Sequence, residues 1–366
     1  KLGRERSFLW VVTPDRLTAF ILPPAAEIEA SARRLYERLT ERNRRRDGES
    51  FVRRQQRIDA ADQVVPSAAA DLGRKLLPPD AIQPDVRRLV VVADGILQWI
   101  PFEVLSPLPS VGNDRGRSQI RWLADQYEVV YLPSVTALQA LRQETTDRRQ
   151  VNKILAVFAD PVFDPTDARV SGKDALATPP PLPASARRDA DLWRDLAIDG
   201  QRLPRLPFSR AEAESLIRLV PRGTARKVLD FDACRTAILD PALAEYSYIH
   251  FATHGLLDTG RPERSGLVMS LVDSRGRPQD GVLRLADIYG LRLPACQVTL
   301  SACQTALGKE IRGEGLLSLT RGFMYAGAER ILASVWKVDD EATARLMEEY
   351  YRRIFASPSL PPSRAM

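Results

Sequence analysis

Five short apolar runs in the second half of this chain leave few folds open to it. They are KILAVFADP (153–161), ARKVLDF (225–231), YSYIHFATHG (246–255), VTLSAC (298–303) and RILASVW (330–336). Runs of this length, bounded by turn formers, read as buried strands. Helical patterns separate them. One starts at Ser209, with Glu212 three residues on in capping-box position. Others are predicted over 232–244, over 313–327 with Gly327 as its stop, and over 339–355. Strands alternating with helices predict a mostly parallel sheet with helices on both faces. The long connection 164–207 contains Thr178-Pro179-Pro180-Pro181-Leu182-Pro183 and many charges, so an exposed loop is expected there, with a short helix at 186–197.

The first half has a weaker version of the same grammar. SFLWVV (7–12) and LTAFIL (17–22) read as strands around the turn Thr13-Pro14-Asp15-Arg16, and a helix is predicted from Ala25 to Asn43. A helical stretch near 67–77 should stop at Pro78-Pro79. LVVVADG (89–95) reads as a fully buried strand and turn. YEVVYLPS (127–134) reads as a second strand, followed by a short helix toward Arg142. The expected organisation is a smaller α/β region over 1–150 and a larger one over 151–366.

Bulk properties narrow the function. No run of 18 apolar residues occurs, so no membrane-spanning helix is predicted. The chain opens on Lys1, and it is expected to be a fragment of a longer protein. Cys234, Cys296 and Cys303 are too few for a disulfide framework, which points to a reducing cytoplasm. The net charge of +6 is mildly basic. Its densest basic run, RNRRRDGESFVRRQQR (42–57), has a single aromatic residue and matches no recognition motif, so nucleic-acid binding is not expected.

In an open α/β sheet, chemistry collects at the carboxyl ends of strands. Two of the predicted strands end in reactive residues there: one in His254-Gly255, the other in Cys303. They lie 49 residues apart with the histidine upstream, close to the spacing of about 50 residues found in caspases, and Ala302 precedes the cysteine as in the caspase signature. An imidazole beside a thiol can take its proton and return it to a leaving amine. Gly255 lets its backbone N–H approach a substrate closely, and the N–H of Cys303 is the second candidate oxyanion donor. His250, inside a strand, reads as a hydrogen-bonded core histidine. It stands four residues before His254, but the segment is strand-like and no Glu follows His250, which argues against a zinc site. Cys234 and Cys296 read as core residues. No metal and no cofactor are expected.

From His254 and Cys303 outward the sequence resembles the CHAT domain family of caspase-like peptidases, and more distantly the separases. The stretches that carry the resemblance run in order: LVVVADGILQWIPFEVL (89–105), YEVVYLPS (127–134), YIHFATHGLLD (248–258), SGLVMS (265–270), DGVLRLADIYGLRL (280–293), VTLSACQTALG (298–308) and the long block 312–351 ending in LMEEYY. The resemblance implies a caspase-haemoglobinase-like fold with His254 and Cys303 at the dyad positions, and a non-catalytic, pseudo-caspase-like region over 1–150. It also implies a protein substrate and control by a regulatory partner or an upstream repeat domain. The family continues past its last helix into a further helix and strand, so the domain over 151–366 is expected to be truncated at its C-terminus.

Two readings of the function follow: a cysteine endopeptidase, or a non-catalytic scaffold that binds partners on the same fold. For the enzyme, cleavage after arginine is expected. A guanidinium-selecting pocket needs a carboxylate, and Asp339 and Asp340 stand at the carboxyl end of a strand predicted to neighbour the catalytic one. They fall where the separase resemblance implies a pocket acid, and Asp340 aligns with that residue. Asp258 is the reserve candidate. Against this, either Asp339 or Asp340 can simply cap the helix that follows.

Overall fold

In the computed structural model, the described residues are 1–44, 46, 48–107, 111–112, 118–134, 151–171, 203–257, 265–301, 303–306, 314–336, 338–357 and 362–365. They fall into two compact units, residues 1–138 and 139–366. The boundary expected at residue 150, the helix toward Arg142 and the helix at 186–197 lie outside the described residues.

The first unit opens with β1 (Ser7–Val12) and β2 (Leu17–Leu22), an antiparallel hairpin pairing Ser7 with Leu22 and Val12 with Leu17. Helices α1 (Ala25–Thr40) and α2 (Phe51–Leu76) follow, and Ile28, Leu35 and Leu72 are fully buried. Helix α2 is far longer than the 67–77 stretch predicted. Pro66 lies within it, and Ser50 caps its start by accepting from the Arg53 N–H. Part of the basic run is paired with acids in it and beside it. Arg57 pairs with Glu41 and Glu49, both at 2.7 Å, and Arg42 pairs with Asp62 at 2.8 Å. The unit also contains β3 (Arg88–Val91), β4 (Val111–Gly112), β5 (Ser118–Gln119) and β6 (Glu128–Tyr131). Strands β3 and β6 form a two-stranded parallel ladder. The expectation of a fully buried strand at 89–95 is therefore wrong: with one partner strand and one covered face, Val90 is 50% exposed.

The second unit is built on β7 (Lys153–Ala159), α3 (Pro207–Arg218), β8 (Ala225–Leu229), α4 (Arg235–Ile238), β9 (Tyr246–Ala252) and β10 (His254–Leu257). It continues through β11 (Gly266–Val268), β12 (Val282–Arg284), α5 (Leu285–Tyr289), β13 (Gln297–Leu300) and β14 (Cys303–Ala306). It ends with α6 (Glu314–Tyr325), β15 (Ile331–Ala333), α7 (Asp340–Ala356) and α8 (Pro362–Ala365). Five strands form one all-parallel sheet in the order β15-β13-β9-β7-β8. A smaller mixed sheet has the order β12-β11-β10-β14.

The alternation of β7 decides which helices cover which face. Leu155, Val157 and Ala159 pack with Leu216, Tyr351 and Ile354 of α3 and α7. Ala156 and Phe158 point the other way, into a core with Ile249, Phe251, Ile288 and Phe323. Burying both faces explains why these strands are continuously apolar. Gly327, with φ 107, closes α6 in the left-handed conformation that a helix stop requires.

Several predicted elements differ from those observed. The helix expected over 232–244 is broken into short turns, because Pro241 cannot continue a helix and Asp240 instead caps the turn it starts by accepting from the Ala242 N–H at 3.0 Å. Ser209 is not a cap. It lies in the first turn of α3, where its hydroxyl donates to the Leu206 carbonyl at 2.6 Å and accepts from the Asp160 N–H at 3.0 Å. Strand β11 lies between two of the predicted strands, where the sequence marks none.

Candidate active site

The sheet reverses direction beside β7. The chain moves from β7 to β8 on one side, then returns to place β9, β13 and β15 on the other. The crevice outside the carboxyl ends of β7 and β9 is therefore the topological switch point, the usual place for a site in an open α/β sheet. The strands predicted over 246–255 and 298–303 both break at this level. Strand β9 ends at Ala252 and β10 begins at His254, while β13 ends at Leu300 and β14 begins at Cys303. Thr253, buried at the first break, donates its hydroxyl to the Val268 carbonyl and ties the turn to β11.

Because β9 and β13 are parallel neighbours in register, with Leu300 opposite Phe251, their continuations leave the main sheet side by side. Strands β10 and β14 are again parallel partners, with His254 opposite Cys303 and Gly255 opposite Gln304. Adjacent strands run about 4.8 Å apart. Two residues 49 positions apart in sequence are thus brought to facing backbone positions at the first rung of one ladder.

His254 is buried against the Phe163 ring, with centroids 5.1 Å apart. Its Nε2 lies 2.7 Å from the carbonyl oxygen of Pro204. A carbonyl can only accept, so Nε2 must carry the hydrogen and Nδ1 is the basic nitrogen. Gly255 lies within β10, flanked by β11 and β14, rather than in a turn.

Asp339 accepts from the Ala342 N–H at 3.0 Å and so caps α7. Asp340 reaches across to α3, where its Oδ2 accepts from the Phe208 N–H at 3.0 Å. Burial pushes the Asp340 carboxyl above the usual carboxylate range. The charges of Glu212, Asp339 and Asp160 add to this, and the Phe208 N–H offsets part of it. Asp258 lies outside the described residues. Cys234 and Cys296 are half-buried rather than core residues. Among the described residues, no group of three or more His, Cys, Asp or Glu side chains is arranged to hold a metal ion. Nor is any helix among them long and apolar enough to cross a membrane.

His250 belongs to the core. It is fully buried, with Nε2 2.8 Å from Glu212 Oε1 and Nδ1 3.3 Å from the Tyr351 hydroxyl. The polar chain continues from Tyr351 to Thr299 at 2.8 Å and from Thr299 to Gln297 at 2.9 Å. Glu212 therefore serves the core and not a capping box. Replacing His250 by Phe would leave the Glu212 carboxyl buried without its imidazole. A loss of about 3 kcal/mol is expected in denaturant unfolding. A His250→Phe/Glu212→Leu double variant should regain a measurable part of that loss, and no recovery would mean that the pair is not coupled.

Reading the sequence did not single out Asp160, Phe163 or Pro204. Asp160 was within reach, as an acidic residue at the carboxyl end of the run KILAVFA. Pro204 acts through its carbonyl, which no side-chain pattern can reveal.

Two comparisons with known proteins agree with this architecture. The family model described as CHAT domain matches residues 66–366. Tetratricopeptide repeat protein 28 from Homo sapiens is 25% identical over 296 residues, covering 72% of this chain and 10% of that protein. The protein of the same name from Mus musculus matches with the same identity and coverage. The chain spans about a tenth of the length of these curated relatives.

Proposed function

The chain belongs to the CHAT domain family, a caspase-like peptidase family, and from that premise we propose that it is a cysteine endopeptidase with His254 and Cys303 as its dyad. The observation that carries the reading is the β10–β14 register, which opposes these two residues at the switch point of the sheet. In the proposed reaction, His254 Nδ1 takes the Cys303 thiol proton. A free thiol, with a pKa of about 8.5, is mostly protonated at neutral pH, so it needs this base. The thiolate forms a bond to the scissile carbonyl carbon, and the backbone N–H groups of Gly255 and Cys303 hold the resulting oxyanion. Collapse breaks the C–N bond while His254 returns the proton to the leaving amine. Water, deprotonated by the same imidazole, then releases the acyl group from sulfur. A reducing compartment, the cytoplasm, is part of the proposal, since the thiol must stay unoxidised.

The specificity we propose is for arginine before the scissile bond, read by Asp340. Asp339 is engaged as a cap, which leaves the selecting role to Asp340 or, in reserve, Asp258. A half-buried carboxylate held above its usual pKa gains from a guanidinium, which restores the charged form. Peptidyl thiol-reactive probes that differ only in the residue before the electrophile test both claims together. Wild type should be labelled, fastest by the arginine probe, and Cys303→Ala should not be labelled. Asp340→Ala should lose the arginine preference. That preference should also fade on acidification at a higher pH than for an ordinary aspartate, because protonation removes the charge. Equal labelling of Cys303→Ala would sink the dyad, and an Asp340→Ala protein that still selects arginine would move the pocket elsewhere.

A second reading, a partner-binding scaffold, is favoured by one observation. The hairpin face bearing Trp10, Val12, Leu17 and Ile21 is apolar and exposed. The two readings combine if a partner or an upstream repeat domain, as in the tetratricopeptide name of the relatives, docks there and controls the site.

A further inference from the structure

The segment Leu203–Leu206, which carries the Pro204 carbonyl to His254, has no ladder of its own. It is an irregular strand of chain ahead of α3, and a proline in it cannot donate a backbone hydrogen bond. Such a segment will not hold a carbonyl in place unless its flanks are fixed. Both flanks are. Leu203 packs with Leu256, Val268 and Leu271. On the other side, Arg205 forms a two-point bridge to Asp160, Nε to Oδ1 at 2.9 Å and Nη2 to Oδ2 at 2.7 Å.

Asp160 is built to receive it. Its side chain is fully buried at the carboxyl end of β7, and its backbone is left-handed with φ 48. Asp tolerates that conformation better than most residues. Its carboxylate also accepts from Arg210 at 2.8 Å and pairs with Arg169 at 3.1 Å, and its N–H donates to Ser209. A buried carboxylate with this many donors is a rigid anchor, and a bidentate guanidinium adds orientation as well as energy.

We propose that Arg205 and Asp160 are positioning residues, a clamp that holds the Pro204 carbonyl so that His254 keeps its Nε2–H tautomer and presents Nδ1 as the base. Calling His254 the base rests on the proposed peptidase reading; the clamp itself does not. Arg205 is the residue to change. Its side chain is 42% exposed, and Asp160 keeps Arg169 and Arg210 when it is removed, so Arg205→Met strands no buried charge. Removing Asp160 would take a carboxylate from three arginines at once, although Arg169 keeps Asp167 and Asp230 and Arg210 keeps Asp230.

The chain has only two histidines, so ¹⁵N-histidine labelling of the full 366 residues gives a spectrum with one reporter and one internal control, His250. Wild type should show His254 as the Nε2–H tautomer with a slowly exchanging proton. In Arg205→Met the Nδ1–H tautomer should become populated and exchange should quicken, with the His250 signals unmoved. Peptide cleavage should lose about tenfold in kcat with KM unchanged, as expected for a misaligned base. Arg205→Lys, which keeps the charge but not the fork, should fall between the two. Arg210→Met, which removes a different Asp160 partner from within α3, should leave His254 as in wild type. A wild-type His254 spectrum in Arg205→Met would overturn the clamp, as would equal disturbance in Arg210→Met. Should Arg205→Met fail to fold, a wild-type spectrum in Arg205→Lys overturns it. If the chain cleaves no peptide, the spectra still decide the matter, because they read the ring and not turnover.

Discussion

Cys303→Ala and His254→Ala are each expected to cut peptide cleavage by at least about 10³-fold, and the double variant should be no worse than either alone. The expectation comes from the register of β10 and β14, where the two residues oppose each other at the first rung beyond the main sheet. A base and a nucleophile that act in one proton transfer are lost together when either is removed, so their effects cannot add. The folded state should survive the cysteine change, since the core of the second unit is carried by the β7, β9 and β13 faces. The measurement is kcat/KM on a fluorogenic arginine peptide, beside far-UV circular dichroism and a thermal melt of each variant. Substantial turnover by Cys303→Ala would overturn the mechanism. Additive losses in the double variant would show that the two residues act in separate steps.

Gly255→Val is expected to lower kcat by about 10²-fold, the cost of displacing one oxyanion donor. Gly255 follows His254 in β10, with Leu267 and Gln304 opposite it on the two sides. A strand position of that kind can be glycine for packing alone, so the variant needs a partner measurement. If Gly255 is a donor, kcat falls while the melting temperature holds. If it is a packing glycine, the melting temperature falls and the turnover of the remaining folded protein is unchanged.

Much of the second unit was legible in the residues. KILAVFA, YSYIHFA and the apolar part of VTLSAC are strands of one parallel sheet, and the helix over 314–325 stops at the glycine expected to stop it. A strand buried on both faces has no polar side, and that signal is local to the chain. Helix α2 exceeds the stretch predicted near 67–77 because Ser50 starts it and it runs on through Pro66, a strong local breaker. The 232–244 stretch does not form the one helix that its pattern predicts, because Pro241 interrupts it. Ser209 and Glu212 have the spacing of a capping box, but burial decides otherwise: Glu212 turns inward to a histidine 38 residues away in the chain.

The sequence by itself determined the layered α/β class and the order of His254 and Cys303 just beyond two apolar strand runs, because strand character and residue type are properties of short segments. Only the tertiary structure decided that the strands break before His254 and Cys303 and pair again beyond the break. It alone decided that Asp339 is a cap while Asp340 reaches another helix, and that a proline carbonyl sets the histidine tautomer. Each of these depends on which segments become neighbours, and the donors and acceptors involved are largely backbone groups that every residue carries. A backbone carbonyl has no signature in a sequence until the fold shows what faces it.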